Sequence, residues 1–336
     1  MSISLPSLAV SLAPVAALLG GLVYMDSYRL VKLRAVLVAL CAGLVAALVA
    51  LVLNRELSDL LGMELQTYSR YVAPLLEESL KASYLLVLIL RGRVGFMVDA
   101  AIYGFAIGTG FSLVENIAYM QAISSQNLLL WAVRGFGTAL MHAGTTAMVG
   151  VLAREIQTRT PLHSAVSIGA GLMLASVIHS TFNHFFLSPA LSALATLVGV
   201  PLVMYIVYSR SEQRTREWLG VGFDTDRELY EMITAGILSE NKVGQYLSSL
   251  EQAFPPASVA DMLCYLRIYT ELAIRAKAVL MLRDAGLPVL PDPESKEKFE
   301  ELRYLEGAIG KTGLLALHPF LHTRGKDLWQ LHMAAQ

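Results

Sequence analysis

The residues of this 336-residue chain that could do chemistry stand inside apolar stretches: Glu77, Glu78, Lys81, Glu115, His142, His179 and Asn183. Carboxylates and imidazoles are the groups that take a proton from water, and amide and ammonium groups can hold an oxyanion. The densest cluster is Tyr71 to Leu90, YVAPLLEESLKASYLLVLIL, which is long enough to cross a bilayer as a helix. A charged residue at mid-span costs roughly 2.5–3.5 kcal/mol on insertion scales. Glu77, Glu78 and Lys81 are therefore tolerable only if their face meets protein or trapped water. Glu77 and Lys81 are spaced i,i+4, and Glu78 and Lys81 i,i+3. Adjacent carboxylates point about 100° apart around a helix. One can pair with Lys81 while the other faces a cavity.

The elements that must position these groups follow from composition. The chain is 55% hydrophobic and 16% charged, with mean hydropathy +0.54, values that exclude disorder and an ordinary soluble domain. A net charge of −1 gives no basic surface for nucleic acid. The cysteines, Cys41 and Cys264, form no disulfide framework or CxxC metal site. About seven spans are expected. The first two are Leu5 to Met25, retained because no basic residue precedes it, and Ala35 to Leu53. Asn54 to Arg70 reads as a connection, and the span holding Glu77 follows. Phe96 to Met120 carries Asp99 as an expected N-cap, a GxxxG at Gly104 and Gly108 for close helix approach, and Glu115 on the same face. Leu128 to Ala153 places Arg134, Thr138, His142 and Thr146 in one i,i+4 row. His163 to Phe186 places His179 and Asn183 one turn apart, with His184 on the flank. Ala190 to Tyr208 closes the set.

After Arg210 the composition turns charged and no 18-residue apolar run remains. The expected division is a membrane-embedded part, residues 1–210, and a soluble, mostly helical domain, 211–336. Ser258 to Asp284 reads as one helix with Ser258 as N-cap and a stop at Gly286-Leu287-Pro288. A turn and a further helix are expected over 291–310. His318 and His322 read as surface groups. The fold class is all-α.

Arg29, Lys32, Arg34, Arg91, Arg93, Arg154, Arg159, Arg210, Arg214 and Arg216 fall on one side of these spans, against Arg55 and Arg70 on the other. The positive-inside rule puts the N-terminus outside and the C-terminal domain in the cytoplasm of a cell's inner membrane. Glu77, Glu78, Glu115 and His179 then lie at similar depth, about 8–10 Å below the outer face, with His142 deeper. Independent spans converge on one layer.

EESLK (Glu77 to Lys81), FSLVEN (Phe111 to Asn116), His142 and HSTFN (His179 to Asn183) resemble the four ordered motifs of the PrsW family. These are intramembrane proteases within the CAAX-prenyl-protease and bacteriocin-processing superfamily. CAAX-type members show EExxR and FxxxH. Lys81 and FxxxEN favour the PrsW branch. The resemblance spans Tyr71 to His184 and implies an endopeptidase that cuts single-pass membrane proteins, such as anti-sigma factors, near the outer face. It implies Glu78 or Glu77 as general base, and Glu115 and His142 holding the water or a metal. His179 and Asn183 would stabilise the oxyanion, with Lys81 and Asn116 in support. Glu115, His142 and His179 make a His₂Glu set of the kind that binds catalytic zinc, and a metal-free, carboxylate-activated water is equally compatible. A proton- or ion-coupled transporter and a non-catalytic scaffold are the other classes. The absence of an inverted repeat and the intact motif set count against them. The cytoplasmic domain lies outside the resemblance and suits a regulatory or partner-binding role.

Overall fold

The computed structural model describes residues 5–26, 31–123, 127–159, 164–237, 242–289 and 293–321. Arg29, His163 and His322 lie outside the described residues. The chain divides into two compact units, Met1–Ser211 and Glu212–Gln336. Among the described residues all regular structure is helical.

The first unit contains α1 (Leu5–Met25), α2 (Leu33–Leu61), α3 (Leu65–Tyr71), α4 (Ala73–Leu90), α5 (Met97–Ala122), α6 (Leu128–Arg134), a π turn (Gly135–Ala139), α7 (Leu140–Arg159), α8 (Ser164–Asn183) and the start of α9 (Pro189–Thr234). Among the described residues, six helical segments are long and apolar enough to cross a membrane. α4 is not among them, because its 18 residues include Glu77, Glu78 and Lys81. α2 continues past the expected end at Leu53 through Asn54 to Leu61.

α5 is the central helix, buried almost without interruption from Met97 to Ser112. Its small residues explain how it packs on two sides. A Cβ at Gly104 would strike the backbone of Thr146 and Ala147, and one at Gly108 the backbone of His142 and Ala143. A Cβ at Gly110 would strike the Leu40 carbonyl, and one at Gly43 that of Ile107. α7 and α2 therefore meet α5 backbone to backbone, as small residues permit where lipid supplies no hydrophobic drive. Asp99 is not the N-cap of α5, because Phe96 holds that position. Asp99 sits one turn inside, fully buried, and accepts from the N–H groups of Gly95 and Phe96 at 2.9 and 3.0 Å. It satisfies the same orphan donors from within the helix. The buried Arg154 of α7 donates to the Gly95 carbonyl at 2.9 Å.

The second unit has its own core around Leu229, Leu247, Met262, Leu266, Leu272 and Leu302. It is built from the end of α9, α10 (Lys242–Leu250), α11 (Pro256–Asp284) and α12 (Pro293–Leu317). α11 starts at Pro256 rather than after Ser258. The fixed φ of proline suits a helix's first position, where no N–H is needed. α12 is interrupted at Gly310, whose φ of 70° only glycine adopts readily. Lys277 and Asp226 form a buried ion pair at 2.6 Å between α11 and α9. His318 is exposed.

Candidate active site

Glu77 and Glu78 are neighbours on α4, yet their surroundings are opposite. Glu78 is fully enclosed and saturated. Its Oε1 accepts from Lys81 Nζ at 2.6 Å and faces His179 Nδ1 at 2.9 Å, and the Thr145 hydroxyl donates to the carboxylate at 3.3–3.4 Å. Lys81 also reaches His142 Nδ1 at 3.1 Å and lies 4.9 Å from the centre of the Phe111 ring. Glu77 is the open carboxylate. Its Oε1 accepts from Asn54 Nδ2 at 2.9 Å, and its Oε2 stands 3.9 Å from His179 Nε2. A polar pair separated by more than about 3.5 Å leaves room for a bridging water.

Glu115 on α5 approaches His142 Nε2 to 2.7 Å through Oε2 and pairs with Arg134 at 3.4 Å through Oε1. Arg134 Nε donates to Asn116 Oδ1 at 3.1 Å, and its guanidinium lies over the Tyr119 ring. The π turn explains how Arg134 and His142 share one carboxylate. Eight residues of straight α-helix would set them about 80° apart. The extra residue of a π turn removes most of that offset, a device common at functional sites.

Lys81 as an ammonium has donors only, so His142 Nδ1 accepts and the ring proton sits on Nε2, facing Glu115. His179 Nδ1 faces the Glu78 carboxylate, an acceptor, so the proton sits on Nδ1 and Nε2 keeps its lone pair toward Glu77. These tautomers are assigned from the network. The two rings meet edge to face, 4.8 Å between centres. One imidazole offers the site a donor and the other an acceptor.

Native proteins leave few buried polar atoms without a hydrogen bond, and each calls for a reason such as an ion or water. Half of those among the described residues gather here: Glu115 Oε2, Asn116 Nδ2, Arg134 Nη2 and His142 Nε2. The contact between Glu115 and His142 is close but out of line for a hydrogen bond.

Glu77, His142 and His179 each bring a ligand atom within 4.8 Å of the others, the sole group of this kind among the described residues. The carboxylate of this set is Glu77, whereas the sequence pointed to Glu115. Two imidazoles and a carboxylate fit a catalytic divalent metal. The Glu78 carboxylate behind His179 is the usual second partner of a ligating histidine. His142 would join them as a ligand through a ring nitrogen.

Asn183 does not reach this group. Its Nδ2 donates to the Ser69 carbonyl at 2.9 Å, and Ser180 donates to the Arg70 carbonyl at 2.7 Å, tying α8 to α3. His184 lies on the flank, edge-on to Tyr71. Asn54, Tyr68 and Thr145 were not singled out from sequence. Asn54 is the one with a signal, a polar residue directly after an unbroken apolar run.

A family model described as PrsW family intramembrane metalloprotease matches residues 32–209, more than half of the chain. The chain belongs to the PrsW family. It is a multi-pass membrane protease, and the match contains every site residue above as well as Asn54 and Tyr68. The matched segment is longer than the PrsW-like core read from motifs and ends before the second unit. No curated protein and no solved structure matches the chain.

Proposed function

We propose that this PrsW-family protease hydrolyses a peptide bond in single-pass membrane proteins of the anti-sigma-factor kind, using a water held between Glu77 Oε2 and His179 Nε2. The reading rests on that 3.9 Å gap between two acceptors, one an open carboxylate and the other an imidazole backed by Glu78. A water there donates a hydrogen to each, which leaves its lone pairs for the acyl carbon. Glu77 takes the proton as the C–O bond forms and returns it to the leaving amine as the C–N bond breaks. Glu78, already saturated, keeps the His179 ring in its tautomer and does not act as the base. The developing oxyanion needs donors that nothing else occupies. Asn116 Nδ2 is buried and lacks a hydrogen-bond partner, Arg134 Nη2 and His142 Nε2 meet only the Glu115 carboxylate and make no hydrogen bond, and Asn183 Nδ2 already donates to Ser69. When a metal such as zinc is bound, Glu77, His142 and His179 would hold it, and it would supply Lewis-acid polarisation of the water and carbonyl.

The positive-inside bias supports an inner-membrane orientation with the N-terminus outside and the second unit in the cytoplasm, so that cleavage occurs in the outer half of the bilayer. The second unit would then bind the substrate's cytoplasmic part or another partner. A protease-accessible tag at Gln336 that appears outside the cell would invert this orientation. The deciding experiment is co-expression with single-span anti-sigma factors. Glu77→Gln should abolish cleavage while the protein still inserts. Loss of a proton-coupled flux in place of proteolysis would make it a transporter.

A further inference from the structure

Glu77 is useful as a base only if one oxygen stays aimed at the gap before His179. A glutamate side chain has several freely rotating bonds, and nothing on α4 itself fixes this one. The fixing group is on another helix. Asn54 Nδ2, from the last third of α2, donates to Glu77 Oε1 at 2.9 Å. Because the carboxylate is rigid and planar, holding Oε1 sets the direction of Oε2. An asparagine amide can turn by 180°, and the flipped form would point Oδ1 at the carboxylate. The ionised carboxylate only accepts, so it selects the Nδ2 side, and Tyr68, buried at 2% exposure on α3, anchors the other end of the amide by donating its hydroxyl to Asn54 Oδ1 at 3.0 Å. The chain of donors runs one way, from Tyr68 to Asn54 to Glu77.

The two residues after Tyr68 hold the other half of the site. The carbonyls of Ser69 and Arg70 accept from Asn183 and Ser180 of α8, and Ser180 follows His179 directly. Three consecutive residues of a seven-residue helix are thus bonded to Asn54, which holds the base, and to the helix that carries the imidazole.

We infer that Asn54 is the positioning residue for Glu77, that Tyr68 anchors the Asn54 amide in place against Glu77, and that α3 is the strap that keeps Glu77 and His179 in register. The inference rests on the role proposed for Glu77. Neither residue belongs to the motifs that carry the family resemblance, and neither touches the reacting atoms.

The test uses the full-length protein in lipid nanodiscs and a quenched fluorescent single-span substrate selected for cleavage by the unaltered enzyme. Asn54→Ala should lower kcat about 10- to 100-fold, the usual cost of losing an orienting partner, with KM within about twofold. Tyr68→Phe keeps the ring and removes only the hydroxyl. It should lower kcat in the same sense by a smaller factor, and it serves as the test even if Asn54→Ala fails to insert. Combining the two should cost little more than Asn54→Ala alone, because they act in series. Unchanged kcat in Tyr68→Phe, a change confined to KM, or independent additive losses would overturn the inference. Activity retained in Glu77→Gln would instead remove the role of Glu77 itself, so the two failures are separable.

Discussion

Each unit of this chain buries a lysine against a carboxylate at 2.6 Å, Lys81 with Glu78 in one and Lys277 with Asp226 in the other. The distances are the same and the burial is similar. The difference lies in what the pair is attached to. Lys81 and Glu78 each hold one imidazole through its Nδ1, so the pair fixes two opposite tautomers. Among the described residues no metal-capable group of three forms around Lys277 and Asp226. Their pair joins two helices of a core. A buried ion pair is thus not by itself the mark of a site. The mark is a buried pair that leaves other ionisable groups oriented and partly unpaired.

The largest effect expected separates the two pairs by chemistry. Glu77→Gln, Glu78→Gln and His179→Ala should each reduce cleavage by about 10²–10⁴-fold or more, the range for losing acid–base groups, with normal insertion. Asp226→Asn should leave kcat within about twofold. Equal losses from both sets, measured on purified protein, would erase the distinction.

Stability should treat the pairs alike. Lys81→Met and Lys277→Met each remove the cation paired with a buried carboxylate, a change that costs about 3–5 kcal/mol. Thermal unfolding should show a loss in both, with catalysis lost only in the first. A stable and active Lys81→Met would mean that the histidines do not need their tautomers set.

Metal content sharpens the comparison further. If Glu77, His142 and His179 are ligands, purified protein should carry about one zinc per chain, and His142→Ala should release it. Chelator-resistant activity in metal-free protein would leave the carboxylate-activated water alone. The second unit should bind no stoichiometric metal in either case.

The smallest effect belongs to the surface of the second unit. Burial alone would push Glu271 up, but hydrogen bonds and charge from Lys298 and Arg275 outweigh it and hold its carboxyl below the usual range. A depressed carboxylate adds stability above its unfolded value, and that increment is lost as pH falls through the lower folded one. Denaturation of the second unit between about pH 5 and pH 3 should show a small, salt-screened loss that Glu271→Gln removes. A loss that persists in this variant would belong to other groups.

The site's charged members were legible because a charge inside an apolar helix is costly and needs a reason, so Glu77, Glu78, Lys81, Glu115 and His142 stood out one by one. Their partners were not. Asn54 fell in a stretch read as a connection, because apolarity ends at Leu53 while the helix continues to Leu61. Tyr68 carries no periodic or charge signal at all. Asn183 had the right type and spacing for the site, but spacing says nothing about which nearby carbonyl an amide will choose, and Asn183 Nδ2 donates to that of Ser69. The i,i+4 row from Arg134 to His142 assumed a regular helix, and the π turn within it has no sequence mark. The GxxxG of α5 was visible. Its counterpart, Gly110 against α2, was not, because it depends on Gly43 in another helix.

The contact at Gly104 and Gly108 has a mechanical meaning. Where α5 crosses α7 the two main chains touch, with no side chain between them to rotate or compress. That seam is a hard stop. It sets the separation of the helices that carry Glu115 and His142 much as a machined shim sets the gap of a bearing. A methyl group added at Gly108 would act as a thicker shim, inserted against the very residue whose imidazole must face Glu115.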